Sequence, residues 1–130
     1  MNGEINIPEV VAEVRDTFER YEAALMSTDV EVLAHSFWES ELTVRYGVAE
    51  CLYGVEEIRA WRLSAAPLPP GRKTGPTVIA TFGRDVACVS TEFRNPGSAF
   101  IGRQSQTWIR FPDGWRIVAA HVSLIPAERA

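Results

Sequence analysis

Residues 102–125 read GRQSQTWIRF, then PDG, then WRIVAAHVSLI. Two long segments alternate polar and apolar residues on either side of Pro112-Asp113-Gly114, the pattern of a β-hairpin whose faces meet different surroundings. The polar positions do not form one solvated face. Arg103, Gln104, Ser105, Gln106, His121 and Ser123 crowd among aromatic and aliphatic neighbours. If one face curls over a cavity, it offers hydrogen-bonding groups and a cation inside an apolar wall, which is how a small-molecule pocket is built.

Working outward, Thr77 to Phe82, Val86 to Arg94 and Phe100 to Phe111 read as further strands, separated by Gly-Arg-Asp and Asn-Pro-Gly turns. With Trp115 to Ile125 they predict a four-strand antiparallel meander. Ala65 to Pro76 holds four prolines and two glycines, which predicts a loop able to act as a lid.

The N-terminal half is helical in pattern. Pro8 suits a first helical turn. Val10, Val11, Val14, Phe18, Tyr21, Ala24 and Leu25 recur at three- and four-residue steps, marking one face of a long helix to about Ser27. Ser27, Thr28 or Asp29 caps a short second helix that buries Val32, Leu33 and Phe37. Leu42 to Gly47 pairs as a strand with Glu50 to Tyr53, and Gly54 opens a third helix, Val55 to Ser64, with Ile58, Trp61 and Arg62 at helical spacing. Helices segregated at one end of an antiparallel sheet indicate an α+β fold.

At 130 residues the expectation is one domain spanning 1–130. The charge of −4, from 13 basic and 17 acidic side chains, disfavours nucleic acid as a partner. The opening MNGEINIPE has neither the basic nor the apolar region of a leader, and no run approaches a bilayer span, so a cytoplasmic protein without membrane contact is expected. Cys51 and Cys88 are too few and too far apart for a disulfide framework, and their strand contexts predict reduced, buried thiols. No His, Cys or carboxylate set has metal-ligand spacing, no Ser sits in a nucleophile elbow, and no metal or cofactor is expected. Glu39, Glu41 and Glu50 read as solvated.

The element order and the stretches FWESELTVRYGVAE, LYGVEEIRAWR, GRQSQTW and GWRIVAAHVSL resemble the nuclear transport factor 2-like superfamily, also called SnoaL-like. Within it they are most similar to the AtzH/HpxZ-like group. The resemblance implies a cone-shaped α+β barrel, three N-terminal helices on a curved, mostly antiparallel sheet, with a pocket at the open end. AtzH-like members act as decarboxylating amidohydrolases on dicarboxylated urea, yielding allophanate in cyanuric acid breakdown. HpxZ-like members are named for oxalurate catabolism. The tyrosine and arginine that the family emphasises fall here on Tyr21 and Arg45.

Beyond those two, the residues leave choices open. Arg103, Ser105 and Thr107 share one strand face and Gln104, Gln106 and Trp108 the other. The expectation is that Arg103 and Ser105 face the cavity, while the glutamines and Trp108 build a sheet surface for a homodimer. His121 and Ser123 are expected on the face of Trp115 and Ile117, where an apolar strand ends in polar groups. The candidate catalytic set is thus Tyr21, Arg45 and His121, and the substrate-binding set is Arg103, Ser105, Ser123 and Trp38. The alternative is a non-catalytic anion-binding module or accessory subunit of a partner amidase. An isomerase or dehydratase would need an inward carboxylate or histidine base, which no strand supplies convincingly.

Overall fold

Pro8 occupies the first turn of helix α1 (Pro8–Ser27) in the computed structural model, which describes residues 4–129, with side chains through Glu128. The first three residues of the opening stretch and residue 130 lie outside the described residues. The apolar stripe of α1 is buried at Val10, Val14, Phe18, Tyr21, Ala24 and Leu25, leaving only Val11 partly covered. Thr28 ends the helix in the left-handed region at φ 54°. Asp29 caps the next helix, α2 (Val30–His35), its carboxylate accepting from the Val32 N–H at 3.2 Å. Six residues offer one inward position, which Leu33 takes. Val32 is exposed, contrary to the sequence expectation.

Strands β1 (Val44–Tyr46) and β2 (Cys51–Tyr53) form the expected hairpin, followed by α3 (Val55–Ser64). The meander is β3 (Lys73–Phe82), β4 (Val86–Arg94), β5 (Phe100–Phe111) and β6 (Gly114–Pro126). All six strands form one sheet in the order β2-β1-β6-β5-β4-β3, antiparallel except where β1 runs parallel to β6. Strand β3 begins earlier than the sequence suggested. An irregularity between Thr74 and Thr77 absorbs Gly75 and Pro76, so the proline-rich loop is shorter than expected.

A second irregularity decides which residues meet the interior. Trp108 pairs with Ile117, yet the adjacent Thr107 pairs with Ala119, leaving Val118 as an extra residue on β6. Such a bulge reverses the inside–outside alternation beyond it. Trp115 and Ile117 therefore face the core before the bulge, and Ala120 does so after it. On the neighbouring strands the inward set is Gln104, Gln106 and Trp108 of β5 and Ala87, Val89, Thr91 and Phe93 of β4. Helix α1 lies in the concavity, and burial of each large side chain such as Phe37 or Ile117 contributes about 1.5–3 kcal/mol. Both cysteines are exposed rather than buried, because alternation turns Cys88 away from its buried neighbours Ala87 and Val89.

Candidate functional site

The concave face and the helices frame a half-open cavity of about 290 Å³. Tyr21 enters it from α1, Arg45 from β1, Trp61 and Arg62 from α3, Arg72 from the end of the loop before β3, and Gln104 and Gln106 from β5. Its mouth is apolar where Ala120, Val122 and Leu124 of β6 line it.

Arg45 is buried to 8% exposure and donates from Nη1 to Glu50 Oε1 at 2.7 Å. The β1–β2 turn makes room for this pair at Gly47, where a Cβ would collide with the Glu50 carboxylate and stand 2.8 Å from Arg45 Nη1. The guanidinium also lies 4.2 Å from the centroid of the Trp61 ring. Such stacking holds a guanidinium flat while its other N–H groups stay free for a ligand.

A second pair ties the loop to α1. Arg72 donates from Nε and Nη2 to the Glu22 carboxylate at 3.1–3.2 Å, and Gln104 Nε2 donates to Glu22 Oε2 at 3.0 Å. Arg72 rests 3.9 Å from the Phe93 ring centroid. That ring lies across Gly102, where any Cβ would run into it. Glycine is thus required at this point of β5 by close approach of a side chain.

Arg62 stands apart. Its guanidinium lies 4.7 Å from the centroid of the same Trp61 ring and beside Tyr21. Among the described residues no carboxylate pairs with it. Burial pulls its pKa down, yet a guanidinium stays charged at any physiological pH. Tyr21, 4% exposed, packs edge-on against Phe37 and Trp108 at 6.4 and 6.2 Å. Burial pushes its phenol above the ordinary value of 10.0, and the charges of Arg62, Arg45 and Arg72 oppose this without reversing it. The hydroxyl is therefore a proton donor at neutral pH.

Only Tyr21 and Arg45 of the sequence-derived set are brought together here. Arg103, Ser105 and His121 are exposed on the convex face, and Ser123 lies there with them. The expected orientation of β5 is reversed: Gln104, Gln106 and Trp108 face inward, and Trp108 Nε1 donates to Gln106 Oε1 at 3.1 Å. The bulge at Val118 removes His121 from the face of Ile117 and places it edge-on to Tyr46, 5.8 Å between centroids. Trp38 stacks on Phe111 at 5.6 Å, away from the cavity lining. Missed by the sequence reading were Arg62, Arg72, Gln104, Gln106 and the carboxylates of Glu22 and Glu50. Trp108 held the usable signal. A large apolar ring in an alternating strand marks the buried parity, and the two glutamines share it.

A more open groove of about 440 Å³ runs between α1, α2 and the β5–β6 turn. Two of its arginines are engaged in local surface pairs, Arg20 with Asp16 and Arg116 with Asp113. The cavity on the concave face, with its buried ion pairs, is the better-built site. Among the described residues no group of His, Cys, Asp and Glu could hold a metal ion, and no helix is long and apolar enough to cross a membrane.

Solved structures resemble this chain closely. A protein of unknown function from Pectobacterium atrosepticum is 53% identical, with a TM-score of 0.93 over 96% of this chain and 98% of its own. A cystatin-like fold protein from Burkholderia xenovorans is 52% identical, with a TM-score of 0.92 over 95% and 97%. A nuclear transport factor 2-like superfamily protein from Salmonella enterica shares the fold at 24% identity, TM-score 0.73, over 94% of each chain. No curated protein matches the chain. The AtzH-like family model matches residues 3–128, and the chain, which has the cone-shaped fold of nuclear transport factor 2-like proteins, belongs to the AtzH-like family.

Proposed function

We propose that this protein is a cofactor-independent amidohydrolase that removes a carboxyl group from a small carboxylated urea, 1,3-dicarboxyurea being the best fit. The observation that carries the reading is the convergence of Tyr21 and Arg45 on one small cationic cavity. Arg45 presents a planar fork that suits a carboxylate, and Tyr21 is a phenol with its proton in place.

In the proposed reaction the bond between a terminal carboxyl carbon and its urea nitrogen breaks. The nitrogen takes the Tyr21 proton and the carboxyl leaves as carbon dioxide, giving allophanate. The phenolate, beside Arg62 and Arg45, recovers a proton from water. The hydroxide so formed combines with the carbon dioxide as bicarbonate, so the overall reaction consumes one water. His121, considered from the sequence as an assistant, has no part in this scheme because it faces away from the cavity. Positioning and electrostatics supply the stabilisation.

The exposed convex face supports a homodimer. It presents Val78 and Phe82 at 65% and 36% exposure, and apolar surface of this kind marks contact sites. A second reading, an anion-binding accessory subunit of a partner amidase, is favoured by one observation. Both carboxylates near the cavity, Glu22 and Glu50, are bound by arginines and are not free to act as bases.

The deciding experiment is carbon dioxide release by purified protein from freshly generated 1,3-dicarboxyurea, with Arg45→Ala and Arg45→Lys beside it. Turnover that disappears in both variants is expected, since lysine keeps the charge but loses the fork. Near-normal turnover by Arg45→Lys would sink the fork argument. No wild-type turnover, with dicarboxylate binding intact, would make the accessory reading the correct one.

A further inference from the structure

We infer that Arg62 is the second carboxylate receptor of the cavity and the residue that makes it prefer dianions to monoanions, an inference that rests on this cavity being the substrate site proposed above. Among the described residues three guanidiniums line the cavity, and two already have counter-charges. Arg45 pairs with Glu50 at 2.7 Å and Arg72 with Glu22 at 3.1 Å. Arg62 has no carboxylate partner among the described residues, although it is half-buried. A cation withdrawn from water without a counter-ion costs free energy. An incoming anion recovers that cost by completing the pair.

The surroundings hold Arg62 ready for this. Trp61 carries both the Arg62 and the Arg45 guanidinium, at 4.7 and 4.2 Å from its centroid. Both guanidiniums thus lie against one ring and line one cavity, within the span of a short ligand with a carboxylate at each end. Arg62 also lies in the last turn of α3, where the helix dipole favours a cation. Tyr21 adjoins it, so a carboxylate on Arg62 brings the attached nitrogen towards the phenol. Arg103, the cation the sequence suggested for this task, is exposed on the other face of the sheet. Water already solvates it, and an anion gains little there.

Glutarate is a stable probe, since it spaces two carboxylates by the same number of atoms as 1,3-dicarboxyurea. Its monoamide, glutaramate, keeps one charge. Calorimetric titration of the wild type is expected to show glutarate bound about tenfold more tightly than glutaramate, the size of one charge-assisted contact. Arg62→Gln is expected to abolish that preference, and Arg62→Lys to restore part of it. Arg103→Gln is expected to bind both probes as the wild type does. Reading the ratio guards against misfolding, which would weaken both ligands alike. A preference unchanged in Arg62→Gln overturns the inference, as does a wild type that binds neither probe or binds both equally. A wild type that shows the Arg62-dependent preference but turns over no dicarboxyurea leaves this inference standing and removes the enzymatic reading instead.

Discussion

On β5, Gln104 and Gln106 are buried at 6% and 3% exposure, while Arg103 and Ser105, each one residue away, stand in solvent on the opposite face. Both sets are polar and both alternate. The inner pair is bonded into networks with Glu22, Arg72 and Trp108. Among the described residues the outer pair has only a marginal side-chain contact, Ser105 to Ser90 at 3.5 Å. A polar group acquires consequence when burial removes water as an alternative partner. Residue type therefore says less about function on this strand than the parity of its position.

That parity can be broken directly. Inserting one alanine between Thr107 and Trp108 gives Val118 a partner, and regular alternation then turns Ser105, His121 and Ser123 into the cavity and Gln104, Gln106 and Ala120 out of it. Burying these polar groups without partners while breaking the glutamine networks is expected to cost more than about 4 kcal/mol, read as a lowered urea midpoint. Near-wild-type stability would show that the bulge does not set the faces.

Next in size is the phenol on the concave side. Tyr21→Phe is expected to lower turnover about 100-fold, the scale of one general acid. Because burial raises the Tyr21 pKa above 10.0, the folded state keeps a proton that the unfolded chain releases there. The associated stability is complete below pH 10 and declines as pH rises towards the folded value. Thermal unfolding between pH 8 and 11 should show a steeper alkaline decline in the wild type than in Tyr21→Phe.

A smaller effect is expected where the two networks touch. Gly102→Ala drives a methyl into the Phe93 ring, at a cost of about 1–3 kcal/mol. It should also weaken glutarate binding, because Phe93 supports Arg72. Chemical denaturation and titration of the same variant check both. On the convex side, Arg103→Gln and Ser105→Ala are expected to shift stability by less than about 0.5 kcal/mol and to leave turnover unchanged. A loss of turnover in either would return the chemistry to the outer face.

Much was legible in the chain before folding was considered. The 3.6-residue apolar period of α1, the capping residues before α2, the glycine before α3 and the turn residues between strands are local signals, and the elements formed where those signals lay except that β3 starts at Lys73, ahead of its expected start. The helical period put Tyr21 on the buried stripe, whereas the choice of Tyr21 and Arg45 as site residues came from the family resemblance and not from periodicity. What the tertiary structure decided was register and company. A one-residue bulge leaves no mark in a β-branched, apolar sequence such as Ile117-Val118-Ala119, yet it exchanges the two faces of β6. The ion pairs of Arg72 with Glu22 and of Arg45 with Glu50, and the absence of one at Arg62 among the described residues, depend on which helix and turn the sheet curls against. Periodicity reports the environment of a residue along its own element, whereas partners 50 residues apart, as Glu22 and Arg72 are, meet only through the packing of the whole chain.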